Sequence, residues 1–100
     1  MIYVIFMTRP IMSDADRADG FRGLSHPLRR KVLSLLAKGD CTVTALQEAL
    51  NVSQPVLSRH LAVLRETGLV EDRKAGQQRI YRLRRPAVRK LTKWLRQLSA

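Results

Sequence analysis

The sequence of 100 residues contains little of what several classes of protein require. A single cysteine excludes a disulfide framework within the chain and is compatible with a reducing cytoplasm. No apolar run approaches the ~20 residues that cross a bilayer. The chain also has no glycine-rich phosphate loop, no paired carboxylates in an apolar setting and no Cys/His pair at catalytic spacing. We therefore predict that it is not an enzyme.

Acidic residues are scarce, and the basic residues are concentrated in the second half. The chain has 19 Lys and Arg against 8 Asp and Glu, a net charge of +11. Between residues 59 and 96 lie 12 of these 19 cations and only three acids. Such a charge suits a polyanion, with nucleic acid as the first candidate and an anionic membrane surface as the second. A chain of this length forms one small domain, which oligomerisation would help to stabilise.

Residues 53–68 predict a helix with one apolar and one polar face. Ser53 is a good N-cap, Pro55 is tolerated in the first turn, and Gly68 suits the position after the helix end. Three leucines recur at helical spacing: Leu57, Leu61 and Leu64. The opposite arc carries hydrogen-bonding groups and guanidinium groups around a small residue: Gln54, Ser58, Arg59, Ala62 and Arg65. The periodicity alone favours an amphipathic helix with a solvated face, but such a helix also fits a major groove.

The flanking sequence favours the groove-binding interpretation. Residues 43–52 predict a shorter helix and a turn at Asn51, which makes a helix-turn-helix with residues 54–67. Residues 69–83 contain two strand-like runs around Gly76, which predicts a β-hairpin. Polar and basic side chains lie near its tip: Arg73, Lys74, Gln77, Gln78 and Arg79. We predict a mainly α fold with a β-hairpin, a winged helix-turn-helix.

Helices are also predicted on both sides of this unit. Residues 14–24 predict a weak first helix, which Gly20 and Gly23 interrupt. His26, before Pro27, is most simply a residue at the start of the next helix. Residues 85–98 predict a last helix whose apolar stripe either covers the core of its own domain or pairs with a second copy. The residues of this stripe are Val88, Leu91, Trp94, Leu95 and Leu98.

Residues 1–12 form an apolar N-terminal extension, and we assign the domain to residues 13–100. Three interpretations of the extension remain open. It is an upstream start with Met12 opening the functional chain, a strand or packing arm in a dimer, or a disordered tail. It lacks the basic start and the small-residue cleavage site of a secretory signal.

Residues 26–36, 53–61, 64–70 and 80–83 resemble the ArsR/SmtB family of bacterial winged-helix repressors. The resemblance extends over about residues 21–83, and the run from Ser58 to Leu61 followed by Gly-Leu-Val at 68–70 is fairly specific. It implies a dimeric, DNA-binding transcriptional repressor whose terminal helices build a twofold dimer. Two recognition helices about one helical turn apart, or a multiple of it, would then bind an inverted repeat.

The predicted DNA-binding residues fall into two groups. Gln54, Ser58 and Arg59 are expected at base edges or adjacent phosphates, Pro55 marks the tip of the recognition helix, and Arg65 lies on the same arc. His60 either reaches a phosphate or has a hydrogen-bonded structural role. In the wing, phosphates or the minor groove are expected to be held by Arg73, Lys74, Gln78 and Arg79. The resemblance supports Ser58 and Arg59 most directly.

Metal sensing, which the resemblance makes worth testing, is not expected here. The family's Cys-Val-Cys pair falls on Thr42 and Thr44, which are not soft-metal ligands, and the last helix has no His or acid for the other familiar site. Cys41 is most simply a small, partly buried apolar residue, although a redox-responsive repressor could use it with a second thiol. We predict no cofactor, and the inducer is not identified by the sequence. An autorepressor that is controlled by the amount of the protein itself would need no inducer.

Two other classes of function remain as alternatives. A winged helix can serve as a protein-interaction module, but the basic face argues against this. A membrane-surface protein could use the basic last helix with the apolar extension. Lipid binding would then survive loss of the hairpin, whereas DNA binding should be lost when Arg59 or Arg79 is removed. The preferred partners are double-stranded DNA and a second copy of the chain, without a membrane.

Overall fold

The computed structural model of this protein describes residues 19–100. These residues form five helices and three strands, and the predicted helix-turn-helix, hairpin and last helix are all present. The elements are α1 (Gly20–Leu24), α2 (Pro27–Lys38), β1 (Cys41–Thr42), α3 (Val43–Leu50), α4 (Gln54–Glu66), β2 (Val70–Ala75), β3 (Gln78–Leu83) and α5 (Arg85–Ser99). The apolar extension of residues 1–12 lies outside the described residues.

Side-chain caps define the two helices of the helix-turn-helix. Thr42 Oγ1 accepts a hydrogen bond from Ala45 N at 3.0 Å, and Ser53 Oγ accepts one from Val56 N at 3.4 Å. Between the helices Asn51 adopts the left-handed conformation, with φ 54° and ψ 51°. Asparagine tolerates this conformation better than most residues, so the chain reverses within three residues and α4 begins at Gln54.

The core is made by the apolar stripes of three helices and the base of the hairpin. The residues exposed by 4 % or less are Val32, Leu36, Leu46, Leu57, Leu61, Leu64, Leu69, Val70 and Tyr81. Burying one such side chain contributes roughly 1.5–3 kcal/mol. Because the stripe of α4 supplies three of these leucines, packing against α1, α2 and β2 determines which face of α4 remains exposed.

The three strands form one antiparallel sheet in the order β1-β3-β2. Ala75 pairs with Gln78, so the connection has two residues, and Gly76 at its first position has φ 63°. A two-residue turn with glycine first matches the right-handed twist of the strands. Strand β1 was not predicted from the sequence. It is only two residues long, and it pairs with Tyr81 and Ile80 of β3.

Helix α1 is the last part of the helix predicted for residues 14–24, of which residues 14–18 lie outside the described residues. Asp19 is extended and its carboxylate accepts a hydrogen bond from Phe21 N at 2.8 Å, so α1 begins at Gly20. Gly23, which looked like an interruption, is buried inside this helix. A Cβ atom at Gly23 would lie 2.5 Å from Leu69 Cδ1 and 2.8 Å from Thr67 Oγ1. Glycine is therefore required for the close approach of α1 to the end of α4.

The last helix packs on its own domain with one half and leaves the other half exposed. Ala87, Val88 and Leu91 pack against the core cluster. Trp94 is 50 % exposed, and its ring lies 5.3 Å from that of Phe21. Two further apolar side chains are exposed, Leu95 by 48 % and Leu98 by 67 %. No helix among residues 19–100 is long and apolar enough to cross a membrane.

Candidate nucleic-acid interface

The buried leucines of α4 leave its polar face open to solvent. Gln54, Ser58, Arg59 and Arg65 are exposed, as the helical periodicity predicted, whereas Ala62 on the same arc is partly buried. Pro55 lies in the first turn, where its missing N–H leaves no hydrogen bond unmade. Arg59 makes no ion pair with any described residue, so its guanidinium is available to a base edge or a phosphate.

A polar cleft of about 380 Å³ lies between α4 and the wing, which is the hairpin of β2 and β3. Gln54, Ser58 and Arg65 of α4 form one wall. Gln77, Gln78 and Arg79 close it from the wing, and α3 contributes Thr44 and Gln47. Neither of these two α3 residues was predicted for the interface from the sequence. Their helical spacing from the buried Leu46 could have identified them, because it puts both on the side of α3 away from the core.

One carboxylate joins α4 to the wing. Asp72 Oδ2 accepts a hydrogen bond from Arg79 Nη1 at 3.0 Å and lies 3.6 Å from Arg65 Nη1. The side chain of Asp72 is only 13 % exposed, whereas the two arginines are about half exposed. Two of the predicted DNA-binding cations are therefore oriented by a shared acid, and only part of their charge is neutralised. Burial raises the pKa of Tyr81, the residue paired with Asp72, so its phenol stays neutral.

The cations predicted in the wing lie on two different faces of it. Lys74 and Arg79 are directly opposite each other in the register, two residues along from Asp72 and Tyr81, so all four share the face that includes the cleft. Arg73 is opposite Ile80 and lies on the other face. Arg79 lines the cleft with α4, Lys74 lies on the same face of the wing, and Arg73 lies on the other face. Gln78 is at the tip and reaches the cleft.

His60 lies beside α2, away from the exposed face of α4. Its Nδ1 is 3.1 Å from Arg29 Nη1, and its ring centroid is 4.3 Å from that of His26. Because a guanidinium can only donate, His60 Nδ1 accepts this bond and carries no proton. The contact supports the structural role for His60 rather than a phosphate contact. His26 in turn caps α2, where its Nδ1 accepts from Leu28 N at 3.0 Å.

The environment of His60 predicts that acid destabilises the fold. Burial lowers the pKa of His60, and the positive charges of His26, Arg29 and Arg59 lower it further. The unfolded chain therefore binds a proton more readily, so the contribution of His60 is complete above its unfolded pKa of ~6.5 and is lost as pH falls through the folded value. We expect the free energy of unfolding, measured in urea from pH 7.5 to 5, to fall more in the wild type than in His60→Gln.

The two proteins are compared by how steeply their free energy of unfolding changes with pH, and not by its value at a single pH. The rest of the chain is the same in both proteins, so the difference between the two curves reports the substitution at His60. Parallel curves over the whole range would contradict the predicted coupling.

Cys41 lies on β1, where its thiol contacts Gly39 O at 3.5 Å. It is partly buried and pairs across the sheet with Tyr81. Among residues 19–100, no three side chains of His, Cys, Asp or Glu come close enough together to hold a metal ion. The described residues thus offer neither a second thiol nor a ligand set beside Cys41.

Similarity to known proteins agrees with this geometry. A family model described as "Bacterial regulatory protein, arsR family" matches residues 26–72, which span α2 to the start of β2. The biofilm growth-associated repressor of Xylella fastidiosa is 39 % identical over an 83-residue alignment that covers 76 % of this chain and 73 % of the relative. The chain belongs to the ArsR family of bacterial regulatory proteins. It is therefore a DNA-binding transcriptional regulator and not an enzyme.

Other members of the ArsR family are similar in both sequence and structure. The transcriptional repressor SdpR of Bacillus subtilis is 35 % identical over 75 residues, covering 75 % of this chain and 83 % of that protein. The crystal structure of the transcriptional repressor BigR from Xylella fastidiosa superposes with a TM-score of 0.65 at 35 % identity, covering 80 % of this chain and 82 % of the other. The winged-helix fold described above is thus the fold of the family.

Proposed function

We propose that this ArsR-family regulator is a dimeric repressor that binds an inverted repeat and occludes a promoter. The observation that carries the proposal is the continuous polar surface that α3, α4 and the wing form around the cleft. Two relatives are named as repressors, which supports repression rather than activation. A regulator of this kind works where the chromosome lies, so we assign it to the cytoplasm and the nucleoid.

Within this proposal the residues of the interface have distinct roles. Ser58 and Arg59, exposed in the middle of α4, contact base edges, and Gln54 contacts a base or an adjacent phosphate. Lys74 and Arg79 bind phosphates or the minor groove from the cleft-facing side of the wing, which positions α4 without specifying sequence. Arg65 acts mainly through Asp72, by holding the wing at a set distance from α4. Arg73 contacts a phosphate only if the backbone passes the outer face of the wing.

The proposal is tested by fluorescence anisotropy with the full chain, the DNA upstream of its own gene and a scrambled duplex, at two salt concentrations. Tighter binding to the upstream DNA that persists at the higher salt would establish a specific autorepressor. Binding to both duplexes with the same affinity and the same steep salt dependence would show only the non-specific electrostatic attraction between a basic protein and DNA. That result would refute autorepression and move the search to other promoters.

The exposed half of α5 supports a second copy of this chain as its partner. Trp94, Leu95 and Leu98 leave an apolar surface at the end of a helix whose other half is already packed. We expect Leu95→Asp combined with Leu98→Asp to shift the protein from dimer to monomer, because two charges would have to be buried at the interface. Sedimentation velocity at micromolar concentration measures the shift.

The control for the dimer is a matched substitution on the same helix. Gln97→Asp, at an exposed position of α5 outside the predicted apolar stripe, adds a negative charge at the same end and should leave the dimer intact. The doubly substituted protein should also bind a full inverted repeat about as weakly as a half-site. A double variant that remains dimeric would place the interface elsewhere.

A further inference from the structure

A second concave surface lies away from the DNA-facing cleft, between α2 and the end of α3. This groove has a volume of about 470 Å³, comparable to the ~300–1,000 Å³ typical of small-molecule sites. Its α2 residues run from Pro27 to Lys38 at helical spacing. At ~1.5 Å per residue the groove follows α2 for about 16 Å. The last turn of α3 forms the other wall.

The groove combines an apolar floor with a cationic border. The apolar lining consists of Pro27, Leu35, Ala49 and Leu50. The bordering cations are Arg30, Lys31 and Lys38. None of these three forms an ion pair with another described residue, and α2 itself contains no acid. Arg30 donates one N–H to Leu24 O at 2.7 Å, which holds its guanidinium at the border and leaves other N–H groups for a ligand.

We propose that this groove binds a free alkyl carboxylate. The alkyl chain would lie on the apolar floor along α2, and the carboxylate would accept charge-assisted hydrogen bonds from the border cations. A neutral or cationic amphiphile would gain the same apolar contact but would meet unpaired positive charge. The groove is bounded by one helix and the end of another, so its volume suits a single small molecule rather than a folded partner.

The position of the groove also connects it to the recognition helix. Leu50, which lines the groove, is followed directly by Asn51, the left-handed residue that joins α3 to α4. A chain inserted beside Leu50 changes the packing between α2 and α3 and thereby the orientation of this turn. The bound carboxylate weakens operator binding, and the operator weakens carboxylate binding by the same factor. This regulatory consequence rests on the proposed function, whereas the binding site itself does not.

The binding site is tested on the full chain without DNA. Isothermal titration calorimetry with butanoate, hexanoate and octanoate, all below their micelle-forming concentrations, should show affinity rising about two- to fourfold per added methylene. Octylammonium serves as the charge control and should bind at least tenfold more weakly than octanoate. Equal binding of octylammonium and octanoate, or binding that requires anionic lipid vesicles, would overturn the proposal.

Two variants locate the site. Ala49→Phe fills the groove from an exposed position and should reduce octanoate affinity at least tenfold, whereas Ala37→Phe, exposed on α2 outside the groove, should not. Lys31→Gln with Lys38→Gln, both at exposed positions, should reduce affinity at least fivefold without unfolding the chain, as thermal melting verifies. Unchanged octanoate binding in Ala49→Phe would place the ligand elsewhere.

The regulatory consequence is tested separately, by anisotropy on whichever duplex the protein binds specifically. Saturating octanoate should weaken that binding about tenfold in the wild type and not in Ala49→Phe. If octanoate binds the groove but operator affinity stays the same, the regulatory inference is refuted and the site stands. If no duplex is bound specifically, the proposed function fails, while the calorimetric result on the groove is unaffected.

Discussion

Replacing Arg59 with alanine is expected to weaken binding to the specific site by about 5- to 150-fold, because one bidentate base contact contributes roughly 1–3 kcal/mol. Arg59 is exposed in the middle of α4 and has no ion-pair partner among the described residues, so its removal leaves the core and the ion pairs of the domain intact. Anisotropy titrations against specific and scrambled duplexes at one salt concentration measure the effect.

The control for Arg59 removes the same charge at another place. Arg89→Ala, on the exposed side of α5, should weaken binding to both duplexes slightly and equally, through the general field of the protein. If Arg59→Ala also weakened both duplexes equally, Arg59 would be a phosphate contact, and specificity would have to come from Ser58 and Gln54.

Replacing Arg29 with methionine is expected to lower the free energy of unfolding by about 2–4 kcal/mol, because a hydrogen bond from a charged group contributes roughly 1.5–3 kcal/mol when buried and less when exposed. Its guanidinium donates to Gly23 O at 3.1 Å, to Arg22 O at 2.9 Å and to Ser25 Oγ at 2.9 Å, and it also bonds His60. One side chain thus joins α1, the turn before α2, and α4. Urea denaturation at pH 7.5 measures the loss.

Two variants serve as controls for Arg29→Met. One removes a charge elsewhere on α2, and the other keeps the charge of Arg29 but changes its geometry. Lys31→Met, exposed on the same helix without a hydrogen bond to any described side chain or backbone group, should change stability by less than about 0.5 kcal/mol. Arg29→Lys keeps the charge but has no planar fork, so it should recover less than half of the loss. A full recovery by lysine would mean that charge, and not the network of directed bonds, stabilises this junction.

The chain shows which structural features can be predicted from local signals. The start of α4 was predictable because Ser53 is a good N-cap and Pro55 follows in the first turn, and its buried face because Leu57, Leu61 and Leu64 have helical spacing. The hairpin was predictable because two strand-like runs flank Gly76. Strand β1 was not, since a two-residue strand exists only through its pairing with β3. The aspartate cap before α1 was not predicted, because it is a weak signal beside two glycines.

The sequence by itself thus determined the helix-turn-helix followed by the hairpin and the last helix, the exposed face of α4 and the basic character of this region, because caps, periodicity and charge act over a few residues. Only the tertiary structure decided which distant side chains meet. It placed Arg73 and Arg79 on opposite faces of the wing, joined Arg65 and Arg79 through Asp72, and turned His60 toward Arg29. These contacts depend on how the helices cross and on the strand register, which no short stretch of sequence specifies.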